Sequence, residues 1–142
     1  MTKPDRAHPA FRENAKPFFD IVMQGLQGEV DGNHFWDAVD EKAVFEFSYR
    51  FPGLSEKLES RAAYMEWFAA YDNVLDWAGN LNVYKDKEKN AVILDYEVKG
   101  TSAAGKPYRN RFCSIVQIKD RKIVHWTDFA DTYSAFCSMS KE

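Results

Sequence analysis

Apolar side chains recur every three or four positions in the first part of the chain, which is the spacing of one face of a helix. The first such run begins at Pro17, whose ring suits the first turn of a helix. Its apolar face comprises Phe18, Ile21, Val22 and Leu26. The spacing therefore predicts a first helix that starts at Pro17.

Two further helices are predicted from residues that can cap them. Asn33 follows a turn and can cap a short helix that runs through Val39. Ser60 can cap a third helix in the same way. The apolar face of this third helix comprises Tyr64, Trp67, Phe68 and Tyr71.

A period of two replaces the helical spacing at Phe45, where aromatic residues alternate with polar ones up to Phe51. This alternation predicts a half-buried strand. Four more strand-like runs follow at 81–86, 91–99, 108–118 and 122–130. Their connections are short, so each neighbouring pair is predicted to form an antiparallel hairpin.

The order of these elements predicts an α+β fold in which a curved antiparallel sheet wraps around the N-terminal helices. A strongly curved sheet on a long helix encloses a tapered internal pocket. Residues 1–16 show little periodicity and carry six charged side chains, so we interpret them as a loose arm. Residues 17–142 then form a single domain.

Composition and charge narrow the range of partners. The chain of 142 residues carries 19 basic and 22 acidic side chains, whereas a broad nucleic-acid surface needs a basic excess. No run approaches the ~20 apolar residues of a membrane span, and the charged N-terminus lacks the apolar segment of a signal peptide. We therefore expect a cytoplasmic protein that binds neither nucleic acid nor membranes.

Residues with metal-binding or redox chemistry are few and scattered. Cys113 and Cys137 do not form a C-x-x-C pair, and the three histidines lack the spacing of metal ligands. No P-loop or dinucleotide-binding fingerprint occurs. We therefore expect free thiols, no metal and no cofactor.

The segment from Gly105 to Phe136 carries the most specific motif. A Gly-Lys pair opens a strand, a charged turn follows, and the next strand ends in Trp-x-Asp-Phe-x-Asp at 126–131. This pattern resembles the nuclear transport factor 2-like superfamily, which includes ketosteroid isomerases, SnoaL-type polyketide cyclases and limonene epoxide hydrolase. The resemblance implies a cone-shaped α+β barrel with an internal pocket, and a homodimer formed through the outer face of the sheet.

Three carboxylates are catalytic candidates under this resemblance. The water-activating aspartate of the hydrolase falls on Asp128, and counting back places its other two charged residues on Glu97 and Asp95. Asp95 would replace an arginine there. The alternation of the strand leaves a second possibility, in which Asp95 and Glu97 face outward toward Arg111 and Arg109.

The steroid isomerase constellation is mostly missing from the chain. Its helix tyrosine finds no match between Ile21 and Leu26, and its protonated carboxylic acid falls near Ser114. Asp128 therefore stays the best single candidate. A carboxylate in an aromatic pocket is desolvated, so we expect its pKa to be raised; the alternative is a structural carboxylate bonded to the backbone or to Trp126.

Aromatic residues on the helices and strands supply the predicted ligand-binding wall, unless the rings fill the interior completely. The predicted lining comprises Phe45, Phe47, Tyr49, Trp67, Tyr96, Phe112 and Trp126, with polar contacts from Asn110 and Ser114. A mostly apolar pocket with a few polar groups is typical of small-molecule recognition.

These observations predict a protein that binds a small apolar molecule. One interpretation is a cofactor-free isomerase, cyclase or epoxide hydrolase that uses Asp128 as acid or base. The alternative is a non-catalytic ligand-binding module, or a dimeric interaction domain that acts through its sheet. Asp131 more readily caps the C-terminal segment than acts in catalysis.

Overall fold

The computed structural model describes residues 3–48 and 56–139. Four α-helices and six strands occur in these ranges. The helices are α1 (Lys16–Gly25), α2 (Phe35–Ala38), α3 (Arg61–Ala69) and α4 (Thr132–Met139). The strands are β1 (Val39–Phe47), β2 (Lys57–Leu58), β3 (Val74–Asp86), β4 (Ala91–Thr101), β5 (Pro107–Lys119) and β6 (Lys122–Ala130).

The strands form one sheet in the order β2-β1-β6-β5-β4-β3. The hairpins predicted from the short connections, β3–β4, β4–β5 and β5–β6, are all antiparallel. The prediction of a wholly antiparallel sheet needs one correction, because β1 pairs with β6 in parallel. This curved, unclosed sheet and its helices make the cone-shaped α+β fold expected from the sequence. None of the helices in the described ranges is both long and apolar enough to cross a membrane.

The helices lie where they were predicted, but Val39 belongs to β1 and Tyr71 lies beyond α3 instead of inside the helices, and one cap differs. Ser60 caps α3 as predicted, since its Oγ accepts a hydrogen bond from the Ala63 N–H at 3.0 Å. In α2 the capping side chain is His34 instead of Asn33, and its Nδ1 accepts from the Trp36 N–H at 3.2 Å. The imidazole therefore supplies the acceptor that we assigned to an asparagine.

Two strands begin earlier than the alternation predicted. The first strand starts at Val39, so the charged run 40–42 lies within it, and the predicted continuation through Tyr49 and Phe51 lies outside the described residues. The third strand starts at Val74 instead of residue 81. It is mostly exposed, so it lacks the apolar alternation by which buried strands are recognised.

The segment before α1 is packed, which corrects the interpretation of a loose arm. Residues 9–15 form two 3₁₀ turns that bury Ala10 and Ala15. The Arg12 guanidinium donates at 3.0 Å to the carbonyl of Ala69, the last residue of α3, and at 2.9 Å to that of Tyr71 beyond it. The segment therefore supplies partners for carbonyls that the end of α3 leaves free.

Aromatic rings fill the space between the helices and the concave face of the sheet. Phe18 of α1 lies at the centre, with ring centroids 5.8 Å from Phe68, 6.1 Å from Tyr96 and 6.5 Å from Trp126. Phe18 stacks on Phe68, lies tilted against Tyr96 and meets Trp126 edge to face, and aromatic pairs favour such offset-stacked and edge-to-face arrangements. Much of the predicted aromatic wall is therefore solid core, and the open space lies to one side of it.

Candidate active site around Asp128

Asp128 is a buried carboxylate near the end of β6, and only 3% of the residue is exposed. Its side chain points inward because Trp126 and Asp128 share one face of the strand while Phe129 points outward. The residue that follows β1 holds this part of β6 by a hydrogen bond, since the Ser48 N–H donates to the Asp128 carbonyl at 2.9 Å. The carboxylate therefore projects from a rigid part of the sheet.

One oxygen of this carboxylate receives two hydrogen bonds. The Trp126 indole Nε1–H donates to Asp128 Oδ1 at 2.7 Å, and the Ser114 hydroxyl donates to the same oxygen at 2.5 Å. The other oxygen, Oδ2, has no hydrogen-bond partner among residues 3–48 and 56–139. The carboxylate is therefore held by one oxygen while the other is available to a ligand.

A third residue extends this hydrogen-bond chain into the core. The Tyr96 hydroxyl lies 2.9 Å from Ser114 Oγ. Ser114 has one hydroxyl proton and gives it to Asp128, so the Tyr96 hydroxyl donates to Ser114. The Ser114 hydroxyl reaches the carboxylate because Ser114 lies opposite Asp128 in the β5–β6 register.

Burial raises the pKa of Asp128 from its ordinary 3.8 to about 6. Desolvation is the main cause, because it disfavours the charged form, while the hydrogen bonds from Ser114 and Trp126 oppose it by stabilising the carboxylate. The raised pKa predicted from the sequence is confirmed. The hydrogen bond to Trp126, which was expected for a structural carboxylate, is also present.

Asp128 lies in the wall of a cavity between the helices and the open end of the sheet. The space open to the centre of a water-sized molecule is about 50 Å³, enough for a few waters. The wall comprises Phe18, Tyr64, Trp67, Phe68, Tyr71, Asn73, Leu75, Tyr108, Phe112, Asp128, Ala135 and Ser138. Such a wall, mostly apolar with a few polar groups, suits a small-molecule ligand.

The predicted lining residues divide between this wall and the core behind it. Trp67, Phe112 and Asp128 line the cavity. Phe45, Tyr96 and Trp126 are fully buried core residues, and Phe47 stacks on Trp67 with ring centroids 5.5 Å apart. Asn110 and Ser114 lie behind the wall as partners of Tyr108 and Asp128, and Tyr49 lies outside the described residues.

The structure places Asp95 and Glu97 on the outer face of β4, away from Asp128. Arg111 makes a two-pronged contact with Asp95, at 2.9 and 2.8 Å, and Arg109 lies 3.9 Å from Glu97. The outward-facing alternative is therefore correct, and the assignment of these two carboxylates to the catalytic site is wrong. The physical reason is alternation, because Leu94, Tyr96 and Val98 occupy the buried face.

Tyr71, Asn73, Leu75 and Tyr108 are cavity residues that the sequence analysis did not assign to the site. A signal for Tyr108 was available, since it shares the inward alternation of Asn110, Phe112 and Ser114. The α4 residues Ala135 and Ser138 had no such signal.

Three other residues with polar or reactive side chains, Cys113, His125 and Asp131, lie outside the cavity. Cys113 is half-buried on the outer face, and His125 Nε2 lies 2.6 Å from Glu46 Oε2. Asp131 caps α4 as predicted, accepting from the N–H groups of Tyr133 and Ser134 at 3.0 and 3.2 Å. No three His, Cys, Asp or Glu side chains in the described part of the chain could hold a metal ion together.

The fold and this buried carboxylate define a cone-shaped α+β pocket protein of the nuclear transport factor 2-like superfamily. The chain belongs to the SnoaL-like domain family, whose sequence model matches residues 27–126. It is 29% identical over 104 residues to the uncharacterized protein YesE of Bacillus subtilis, covering 71% of each chain.

Two solved structures share the fold. The crystal structure named "Putative Isomerase from Bacillus subtilis" is 23% identical and covers 98% of both chains with a TM-score of 0.72. An NTF2-like protein from Anabaena variabilis is 18% identical and covers 92% of this chain and 94% of its own, with a TM-score of 0.60. At these identities the likeness extends to the fold and not to an activity.

Proposed function

We propose that this protein is a cofactor-independent enzyme that moves a proton on a small, mostly apolar molecule, with Asp128 as the acid or base. The observation that carries the proposal is the state of this carboxyl group. It is buried and lines an aromatic cavity, its pKa is raised to about 6, and one of its oxygens has no partner among the residues that the structure describes. A pKa close to the working pH suits a group that must both accept and release a proton.

The geometry assigns different tasks to the two carboxylate oxygens. Trp126 and Ser114 hold Oδ1, so Oδ2 is the oxygen that receives a proton from the ligand. A positioned acid or base of this kind typically contributes 10²–10⁴-fold to a rate. The aromatic wall strengthens the effect because it excludes water from the carboxylate.

Isomerisation or cyclisation fits these residues better than epoxide hydrolysis. Hydrolysis along the lines of limonene epoxide hydrolase would use further charged groups beside Asp128, but Asp95 and Glu97 face away from the cavity. Internal proton transfer needs only the one carboxylate. The likeness to the Bacillus subtilis structure named as an isomerase agrees with this choice.

Hydrogen–deuterium exchange tests the proposal without knowledge of the product. Small ketones, enones and epoxides are incubated with the protein in D₂O, and NMR follows the exchange of carbon-bound protons. We expect wild type to catalyse exchange on at least one compound, Asp128→Asn to lose at least 100-fold, and Asp95→Asn to keep the wild-type rate. Ligand binding without exchange in wild type would overturn the enzyme and favour a binding module.

The dimeric interaction domain has one observation in its favour. Tyr84 and Phe129 are 58% and 45% exposed on the outer face of the sheet, where they border a groove with Cys113. A second copy of this chain could cover these rings. Light scattering of wild type and Phe129→Ser tests this: a wild-type dimer that the substitution dissociates supports the interface, and a wild-type monomer rejects it.

A further inference from the structure

Two tyrosine–asparagine pairs lie at the same cavity as Asp128. Asn73 Nδ2 lies 3.3 Å from the Tyr71 hydroxyl, and Asn110 Nδ2 lies 3.1 Å from the Tyr108 hydroxyl. Tyr71, Asn73 and Tyr108 line the cavity, and Asn110 lies directly behind Tyr108. Of the three tyrosines in this mostly apolar wall, Tyr71 and Tyr108 are thus each in contact with an asparagine amide.

Backbone contacts fix the orientation of both amides. Asn110 Oδ1 accepts from the N–H groups of Arg111 and Asp131 at 2.8 and 3.0 Å. Asn73 Oδ1 accepts from the Ala103 N–H at 3.1 Å. A flipped amide would set an NH₂ group against these N–H donors, so the Nδ2 group of each asparagine must face its tyrosine.

Each tyrosine oxygen is therefore an acceptor, and its own proton is directed elsewhere. Within residues 3–48 and 56–139, neither the Tyr71 nor the Tyr108 hydroxyl has an acceptor for that proton. Burial raises the pKa of both phenols, that of Tyr108 to about 12, so both keep their protons at neutral pH. The phenols also lie close enough for the charge of one to raise the pKa of the other.

We propose that the Tyr71 and Tyr108 hydroxyls donate into the cavity and together bind an oxygen atom of the ligand, with Asn73 and Asn110 as their positioning residues. The ligand class that fits is a small, planar molecule with an enolisable carbonyl group. These residues lie after α3 and at the start of β5, at positions other than those implied by the steroid isomerase resemblance.

The reaction step that uses this pair rests on the proposed function. Asp128 Oδ2 takes a proton from the carbon beside the carbonyl, the C–H electron pair becomes the C=C bond of an enolate, and the negative charge moves to oxygen. The two phenols stabilise that charge, and Asp128 returns the proton to another carbon. Removing one donor of this kind typically costs 10²–10³-fold in rate.

Binding of 4-nitrophenol tests the oxygen-binding pair without turnover. Its phenolate is coloured and resembles an enolate in charge and shape. The parent is the Asp128→Asn variant, whose amide is uncharged like the protonated acid. We expect the parent to bind the phenolate, and Tyr71→Phe and Tyr108→Phe each to weaken that binding about 10-fold or more, since a hydrogen bond to a charged group contributes about 1.5–3 kcal/mol.

Matched controls separate a lost donor from a disturbed wall. Nitrobenzene has the same shape without the hydroxyl, so its affinity should change less than about twofold in both tyrosine variants. Tyr84→Phe, on the outer face, should leave both probes unaffected. Asn73→Ala should weaken the phenolate and not nitrobenzene, which a merely structural role for Asn73 would not do.

The outcomes distinguish the two proposals. Unchanged phenolate affinity in both tyrosine variants would overturn the oxygen-binding pair, even if deuterium exchange depends on Asp128. If phenolate binding depends on both hydroxyls but wild type catalyses no exchange, Tyr71 and Tyr108 bind oxygen as proposed and the catalytic role of Asp128 is rejected.

Discussion

The indole Nε1 of Trp126 lies 2.7 Å from Oδ1 of Asp128, two residues further along the same face of β6. Alternation in a strand places residues i and i+2 side by side, so the local sequence Trp-x-Asp by itself brings this donor to the carboxylate. This hydrogen bond reduces the free-energy cost of burying the charged carboxylate but does not abolish that cost. It also leaves the second oxygen of the carboxylate for the cavity.

The stability of the fold should depend on the protonation of Asp128. The folded-state pKa of about 6 lies above the ordinary 3.8, so this contribution is fully present below about pH 4 and is lost as the pH rises through 6. The difference between the two pKa values corresponds to about 3 kcal/mol. We expect the free energy of unfolding of wild type, relative to Asp128→Asn, to fall by that amount between pH 4 and 8.

Urea unfolding at a series of pH values measures this difference, and Asp95→Asn is the matched control. Arg111 holds the pKa of Asp95 below its ordinary value. The stability difference between wild type and Asp95→Asn should therefore change with pH in the opposite direction. Wild type should be more stable than Asp95→Asn above the ordinary pKa of Asp95, and this difference should be lost at acid pH. A flat difference between wild type and Asp128→Asn would show that Asp128 is not desolvated.

The hydroxyl of Ser114 should tune the pKa of Asp128. Ser114→Ala removes one of the two donors to Oδ1, and we expect the pKa to rise from about 6 to about 7, because a hydrogen bond to a charged group contributes about 1.5 kcal/mol. Tyr96→Phe should raise the pKa of Asp128 less, since the Tyr96 hydroxyl contacts Ser114 and not the carboxylate itself. ¹³C NMR of the Asp128 carboxyl carbon follows the titration, and equal values in all three proteins would contradict the hydrogen-bond chain.

The strand alternation explains how much of the site could be predicted from the sequence. Ser114 was predicted to face inward because it shares parity with Phe112, whereas Asp128 was predicted from the family resemblance. The same alternation offered the outward position of Asp95 and Glu97, and it proved more reliable than counting along a motif. Local pattern therefore predicted which way these side chains point.

Contacts between distant parts of the chain could not be predicted in this way. The parallel pairing of β1 with β6 joins residues about eighty positions apart, and no local pattern reports it. The cavity is likewise built from residues far apart in the sequence, because Tyr71 follows α3, Tyr108 lies at the start of β5 and Ser138 belongs to α4. Each is unremarkable in its own segment, and only the tertiary fold brings them together.

The N-terminal segment should contribute to stability through Arg12. Its guanidinium donates to the carbonyl of Ala69 at the end of α3 and to that of the cavity residue Tyr71. We expect Arg12→Met to lower the free energy of unfolding by about 1–2 kcal/mol. The exposed Arg109 guanidinium lies 3.9 Å from the Glu97 carboxylate, so Arg109→Met should have little effect in the same urea titration. Equal stability of the two variants would restore the interpretation of a loose arm.

Leu75 should set the size of ligand that the cavity accepts. Its side chain lines the wall from β3 and is 6% exposed, so Leu75→Ala should lower the free energy of unfolding by about 2–5 kcal/mol and enlarge an apolar space. Such a space stays dry and binds small aromatic molecules. Toluene at 100 times its Kd would then restore about 2.7 kcal/mol, measured as a rise in Tm. Val98→Ala, in the core away from the cavity, should lose stability without a comparable rescue. Rescue of the Val98 variant alone would place the ligand space elsewhere.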